Sequence, residues 1–338
     1  MNVQENISLK PYNTFGIDAK ARYWSEISSI TDLKEALRSK IHPRLFILSG
    51  GSNMLITQDI DAHVLYINIK GKEIIKEDDD HVYLKVMAGE VWHDMVVWCL
   101  ERDFGGLENL SLIPGRTGTA PIQNIGAYGI ELKDTFVSCE AMAIDDGTIK
   151  EFTKEDCRFG YRESYFKNEG KGKYVITSVT FKLSKRNHNP NTSYGAINTQ
   201  LEQWGIKEPS IQDVSKAVVA IRQSKLPDPE VLGNSGSFFK NPVLSKAKFE
   251  TFISEHPTAK YFKVSDGSYK VPAGWLIEQC GFKGKRYGDA GVHKNQALVL
   301  VNYGNATGHE LIGLAQKITE AVYETFGIAI QPEVNIIK

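Results

Sequence analysis

Residues 113–129 read IPGRTGTAPIQNIGAYG, a run whose glycines and other small residues let backbone come close to a large flat ligand. Within it Gln123 and Asn124 offer donors and acceptors suited to the edge of a ring. A second cluster, SGGSN at 49–53, follows the apolar run Leu45 to Leu48. Successive residues free to take positive φ can aim several backbone N–H groups at one anion, which makes a nest for phosphate. Taken singly, each cluster reads better as a plain turn. The two together, with Ser or Asn interleaved, bring a nucleotide cofactor level with that plainer reading. Neither usual phosphate fingerprint occurs, since there is no G-x-G-x-x-G after a strand and no G-x-x-x-x-G-K-[ST]. A Rossmann dehydrogenase and a P-loop ATPase are both disfavoured.

Composition sets the frame around these clusters. The chain has 338 residues, 29 of them glycine, with 40 Lys+Arg against 41 Asp+Glu. That length suffices for about two domains. A net charge of -1 gives no field to hold a polyanion, which argues against nucleic acid or an acidic membrane surface as a partner. Any phosphate must therefore be gripped locally. Cys99, Cys139, Cys157 and Cys280 stand far apart, with no C-x-x-C and no His at ligand spacing. Neither a disulfide framework nor a metal site is expected, and a reducing cytoplasm fits. The start, MNVQENISLKPYN, has no apolar signal core, and no run approaches the ~18 residues of a membrane span.

Strands are expected at Leu45–Leu48, Val64–Ile69, Val82–Met87 and Tyr174–Leu183, with the acidic run Glu77 to Asp80 as a solvated turn. Val137–Ile144 and Thr148–Phe152 flank Asp145-Asp146-Gly147 and predict a hairpin, because Asp-Gly supplies the positive φ of a tight turn. Leu311, Ala315, Ile318 and Val322 form a helical stripe within 309–326, and Gly327 is placed to end it. A second helix is expected over Asp213–Lys225, stopped by Leu226-Pro227-Asp228-Pro229, with a short one over 272–280. The double proline marks a change of region near residue 225.

Polar groups in apolar or glycine-rich surroundings are the candidates for chemistry. Arg162 lies in GYRES at 160–164, where pairing with Glu163 is the simpler reading. Ser237 precedes two aromatics in GNSGSFFKNP at 233–242, where a capping or turn serine is the plain alternative. Glu333 stands in QPEV near the end of the chain, and GFKGKRYGDAG at 281–291 carries Lys283, Lys285 and Arg286. Local spacing gives no Ser/His/Asp arrangement, so nucleophilic hydrolysis is unsupported.

Together these segments resemble one family closely, the UDP-N-acetylenolpyruvoylglucosamine reductases, flavoenzymes of bacterial peptidoglycan synthesis. The similarity runs from NTFG at 13–16 through GGSN at 50–53, IPG at 113–115, PIQNIGAYG at 121–129 and Tyr161-Arg162. It continues in GSFFKNP at 236–242, AGWLI at 273–277 and Pro332-Glu333. Each motif is weak by itself, and their number and order are specific.

The resemblance implies an α+β protein with a PCMH-type FAD-binding domain of two α+β subdomains, 1–68 and 69–224, and a C-terminal α+β substrate-binding domain, 225–338. The last residues of the chain would return to the active site. The segment of about 187–204 is similar to the tyrosine loop of type I members, with Tyr194 closing over the substrate. FAD, bound non-covalently, is assigned to Gly50, Gly51, Ser52, Asn53, Leu55, Pro114, Gly115, Thr117, Gly118, Ala120, Gln123, Asn124, Gly126, Ala127 and Tyr128. NADPH is the implied co-substrate, UDP-N-acetylglucosamine enolpyruvate the substrate and UDP-N-acetylmuramate the product. Hydride addition at the terminal methylene leaves negative charge spread into the neighbouring carboxylate, which is costly without fixed positive charge or donors. The resemblance gives Arg162 and Glu333 to that carboxylate and makes Ser237 the proton donor. It gives Tyr194, Lys225, Asn241, Lys283 and Gln296 to the UDP-sugar. Arg116 departs from the small or apolar residue expected in the flavin loop, and it reaches either a flavin phosphate or solvent. A cytoplasmic monomer without metal is expected. The competing readings are another PCMH-type flavoprotein, such as a sugar or lactone oxidase, and a sugar-nucleotide-binding protein without catalysis.

Overall fold

In the computed structural model, which describes residues 1–264 and 267–338, a four-stranded sheet forms first, in the order β1 (Gln4–Ser8), β2 (Lys20–Ile27), β5 (Ile60–Ile67) and β3 (Leu45–Leu48). The apolar run LFIL is β3, paired in parallel with β5 from Leu45 opposite His63 to Leu48 opposite Tyr66. Helix α1 (Ile30–Arg38) starts where Ser29 Oγ accepts from Asp32 N, and its Leu33 and Ala36 pack with Ile27, Leu65 and Ile67.

A five-stranded antiparallel sheet follows, in the order β11 (Ile149–Thr153), β10 (Phe136–Ala143), β12 (Tyr174–Ser184), β7 (His81–Met87) and β6 (Lys72–Glu77). The expected hairpin is β10–β11, with Gly147 at φ 72 and Asp146 Oδ1 accepting from Thr148 N at 2.8 Å. The acidic run begins inside β6 and turns into β7, and Glu77 and Asp80 pair with Lys185 at 3.0 Å and Arg186 at 2.8 Å. Helix α2 (Trp92–Leu100) is apolar almost all round because it is buried, and Trp92, Met95, Val96 and Cys99 fill the core with Val82, Leu84 and Phe181. After the four-residue helix α3 (Lys154–Cys157) and β12 come α4 (Gly195–Gln203) and α5 (Ile211–Lys225). The segment expected as a tyrosine loop is thus half helix, because Ile197 and Leu201 bury against Val214, Ala217, Val218 and Ile221 of α5. The helix expected from Asp213 begins two residues earlier, since Ser210 and Asp213 cap it reciprocally.

The chain divides into two compact units. One comprises Met1–Ile7, Ala21–Gly50 and Asp61–Ser224, the other Ser8–Lys20, Gly51–Ile60 and Lys225–Lys338. In the second unit the sheet order is β13 (Gly233–Ser237), β19 (Val299–Asn302), β18 (Ala290–Val292) and β17 (Arg286–Tyr287). A smaller sheet joins β14 (Val243–Leu244), β16 (Tyr269–Lys270) and β15 (Phe262–Lys263), and helix α6 (Lys246–Glu255) follows β14. Residues 8–20 belong here because Thr14 O accepts from Asn234 N at 2.9 Å and Phe15 O from Asn302 Nδ2 at 2.8 Å. Short helix α7 (Ala273–Gln279) and long helix α8 (Gly308–Phe326) follow the expected patterns. Thr307 and Glu310 form a capping box at the start of α8, and Gly327 at φ 63 ends it. Leu311, Ile318 and Val322 are fully buried, each contributing about 1.5–3 kcal/mol. The last strand, β20 (Asn335–Ile337), pairs in parallel with β4 (Met54–Ile56).

All four cysteines are unpaired thiols, and burial pushes that of Cys99 up to about 12. Among the described residues no cluster of side chains suits a metal ion, and no helix is long and apolar enough to cross a membrane.

Candidate active site

In the first unit, β3 runs into Ser49 and Gly50, and the backbone of Gly50 lies against that of Gly115. A Cβ on Gly50 would stand 2.9 Å from Gly115 Cα, so glycine is what permits the approach. Ser49 Oγ is buried without a hydrogen-bond partner. Among the described residues the N–H groups of Gly50, Gly115 and Arg116 make no hydrogen bond within the chain. Three unsatisfied amides and a buried hydroxyl at one place suit the oxygens of a diphosphate.

The remainder of 113–129 is more deeply committed to the fold. Thr117–Gln123 is a 3-10 helix whose first amides are taken, Thr117 N by Glu90 O at 2.9 Å and Gly118 N by Ala88 O at 3.0 Å. A Cβ on Gly118 would meet the Ala88 Cβ at 2.5 Å, and Ala120 is buried. Asn124 is fully buried at φ 45, and its amide donates to Glu131 Oε2 at 3.1 Å and Gly160 O at 3.0 Å. Both hydrogens of that amide, expected at a ring edge, are engaged with protein. Gln123 is partly buried and Pro114 exposed. The two-residue strands β8 (Gly126–Ala127) and β9 (Ile130–Glu131) pair beyond them.

Arg116 takes neither of its expected courses. Its guanidinium donates to Ile67 O and Asn68 Oδ1, both at 2.8 Å, bonds the Tyr66 hydroxyl and lies 4.5 Å from that ring. It therefore clamps the flavin-loop candidate onto the end of β5. Arg116→Leu is expected to cost about 2–3 kcal/mol in urea unfolding while leaving flavin content unchanged, because charge-assisted bonds to protein are lost and none to phosphate.

Arg162 sits at φ 57, and its guanidinium donates to Gly126 O at 2.7 Å and lies 5.3 Å from the Tyr161 ring. That contact sets it beside the flavin-loop candidates of its own unit. Tyr128, also at positive φ, packs edge-on against Tyr194 at 5.3 Å, and Asn109 Nδ2 bridges Tyr128 O and Asn191 O. The Tyr128 hydroxyl lies beside the Arg222 guanidinium, and burial raises its pKa.

The second unit brings together Ser237, Glu333 and Gly51 to Leu55. Against β19 an extra residue is accommodated between Asn234 and Ser237, a bulge in which Gly236 takes φ 68 and its N–H donates to Asn234 Oδ1 at 2.9 Å. The bulge turns Ser237 to the exposed side while Ser235 is buried. Directly after it, Phe238 N donates to Leu298 O at 2.7 Å and Phe238 O accepts from Glu333 N at 2.8 Å. The segment carrying Glu333 is therefore laid beside Ser237 by backbone. Asn53 O accepts from Asn335, Leu55 is opposite Ile336, and Gly51 at φ 59 leaves no room for a Cβ, which would fall 2.0 Å from Tyr12 O. Ser52 is partly buried in the same turn.

Of the expected sugar-nucleotide residues, Asn241 and Gln296 meet the start of α7. Asn241 Oδ1 accepts from Ala273 N at 2.9 Å, and Gln296 Oε1 would be 3.1 Å from a Cβ on Gly274. Lys283 pairs with Glu278 at 2.8 Å, and Lys225 is exposed at the end of α5. A cavity of about 560 Å³ beside Lys240–Leu244, α6 and Phe326–Gln331 includes Asn241 but not Ser237 or Glu333. Sequence reasoning passed over Asn234, which builds the bulge, and Arg222, whose only signal is a charge four residues beyond Val218 in an apolar helix pattern.

Over its full length the chain is 60% identical to a UDP-N-acetylenolpyruvoylglucosamine reductase of Flavobacterium johnsoniae, which it likewise covers completely. The chain belongs to the UDP-N-acetylenolpyruvoylglucosamine reductase family. A reductase of that name from Amoebophilus asiaticus is 48% identical, with both chains fully covered. The family model for the UDP-N-acetylenolpyruvoylglucosamine reductase C-terminal domain matches residues 228–337, and that for an FAD binding domain matches 25–153. The reductase (MurB) structure from Thermus caldophilus superposes with a TM-score of 0.71 at 22% identity, covering both chains completely, and so shares the fold. The fold class is accordingly a PCMH-type FAD-binding domain joined to the family's C-terminal domain.

Proposed function

We propose that the protein reduces UDP-N-acetylglucosamine enolpyruvate to UDP-N-acetylmuramate with NADPH and non-covalent FAD, in bacterial peptidoglycan synthesis. The observation that carries this reading is the 60% identity over the whole chain to a reductase of that name. The three unsatisfied amides at Gly50, Gly115 and Arg116 and the buried Ser49 hydroxyl support the cofactor. Residues 1–68 and 69–224 serve FAD, and 225–338 serve the sugar nucleotide. The type I reading of about 187–204 rests on Tyr194 being half exposed against Tyr128.

FAD, when bound, supplies the hydride that it takes from NADPH. The chain's own part is to bind, to orient and to move one proton. Arg162 and Glu333 hold the substrate carboxylate, the guanidinium offsetting the negative charge that grows there and the glutamate fixing its orientation. Ser237 holds a proton on Oγ for the adjacent carbon; a hydroxyl is a weak acid, yet it protonates so basic a centre within hydrogen-bond reach. Lys225, Asn241, Lys283 and Gln296 bind the UDP-sugar, and Tyr194 covers it. The protein acts as a cytoplasmic monomer.

The purified protein is expected to be yellow and to turn over NADPH repeatedly only when the enolpyruvyl substrate is present, one equivalent sufficing to reduce the flavin without it. A colourless protein without that activity would leave a sugar-nucleotide-binding protein, and turnover with molecular oxygen alone would point to an oxidase.

A further inference from the structure

Arg222 lies in the last turn of α5, partly buried. Its Nε donates to Leu112 O at 3.2 Å, and its guanidinium lies beside the Tyr128 hydroxyl. Leu112 is itself held at φ 57, with its N–H donating to His93 Nδ1 at 3.0 Å, so that ring nitrogen is an acceptor and unprotonated. Burial keeps the His93 pKa below the ordinary histidine value. Among the described residues no Asp or Glu pairs with Arg222. A buried guanidinium with a carbonyl and a phenol beside it and no carboxylate partner is costly, and an arriving anion would offset that cost.

The place of Arg222 says where that counter-charge arrives. Leu112 and Tyr128 are the two ends of the glycine-rich stretch, and Arg222 bonds the first and lies beside the second. The diphosphate reading is already met by the N–H groups of Gly50, Gly115 and Arg116, which make no bond within the chain. Tyr128, by contrast, packs against Tyr194, the group that covers the substrate in the proposed function, so on that reading Arg222 stands toward the reacting end of the cofactor.

We propose that Arg222 is a positioning residue that supplies the fixed positive charge for the flavin ring on reduction. The ring accepts two electrons and one proton from NADPH as hydride, NADP⁺ leaves, and the neutral ring becomes an anion with its charge over N1 and the C2 carbonyl. Arg222 stabilises that anion against the neutral ring, so it raises the reduction potential without taking part in proton transfer. The inference rests on the FAD reading, which the yellow colour and substrate-dependent NADPH oxidation of the unmodified protein test independently.

The test is the equilibrium between holoenzyme flavin and a redox dye of known potential, in R222Q, R222K and the unmodified protein. R222Q, which keeps a hydrogen-bonding amide and loses the charge, is expected to lower the equilibrium constant for reduction about tenfold, or about 30 mV for two electrons. R222K keeps most of the unmodified potential, and both variants bind oxidised FAD nearly as well as the parent. An unchanged potential in R222Q overturns the proposal. Equal loss of oxidised FAD from both variants also overturns it, since that outcome assigns the residue to holding the loop. Should R222Q alone fail to hold FAD, the unmodified potential decides, being above that of free FAD if Arg222 acts as proposed and at or below it if not.

Discussion

In Ser237→Ala, flavin reduction by NADPH is expected to proceed at the parent rate while reduction of the enolpyruvyl substrate falls about 10²–10⁴-fold, the range for loss of a general acid. The split follows from how the residue is held. The backbone on its C-terminal side is fixed by Phe238 N to Leu298 O and by Glu333 N to Phe238 O, and on its N-terminal side by the Asn234 side chain at Gly236. None of these bonds uses the Ser237 hydroxyl. Removing Oγ therefore leaves the bulge and Glu333 in place and takes away the proton alone. Stopped-flow absorbance at the flavin band separates the two half-reactions, and near-parent turnover would remove Ser237 from the donor role.

Gly308→Ala is expected to destabilise the protein by about 3–5 kcal/mol, whereas Gly313→Ala in the same helix stabilises it by about 0.5–1 kcal/mol. At Gly313, inside the helix, alanine is the better helix former by about 1 kcal/mol, and at Gly308, its first residue, that preference is smaller. At Gly313 nothing lies within 4 Å of a new Cβ, so propensity decides. At Gly308 that Cβ would fall 1.9 Å from Ile56 O and 2.7 Å from Thr57 Cα, both backbone. Helix α8 would have to lift off β4, pulling Leu311, Ile318 and Val322 from the core and straining the Thr307 and Glu310 cap. That cost exceeds the gain in propensity several-fold. Urea midpoints of the two variants, moving in opposite directions from the parent, check the pair together.

Elements whose signal is local were legible in the sequence. The LFIL run, the Asp-Gly hairpin and the α8 stripe with its terminal glycine carry their own periodicity or turn chemistry. Helix α2 was not legible, since WHDMVVWCL is apolar on most faces and a buried helix loses the 3.6-residue contrast. Paired strands of two or three residues, such as β17 with β18, depend on partners distant in sequence or across a turn, and leave no pattern of their own. In the candidate site the glycine clusters were visible, but which of their amides remain available was not. Thr117 and Gly118 bond to Glu90 and Ala88 through tertiary contacts that no spacing encodes. Arg116 shows the same limit. One arginine in a glycine loop suggests phosphate, and only the positions of Ile67, Asn68 and Tyr66 turn it into a clamp.

The pairing of β20 with β4 places a condition on when the protein can work. Thr57 holds Ile337 O by both its N–H and its hydroxyl, across 280 residues of chain. Glu333, laid beside Ser237 by the segment leading into β20, thus takes its place only when β20 has found β4 across that span, whereas β10 and β12 pair over a much shorter stretch of chain. A partly folded chain can therefore hold its first sheets without all the groups proposed for the reaction, and the closing of this one parallel pair is the step that completes them.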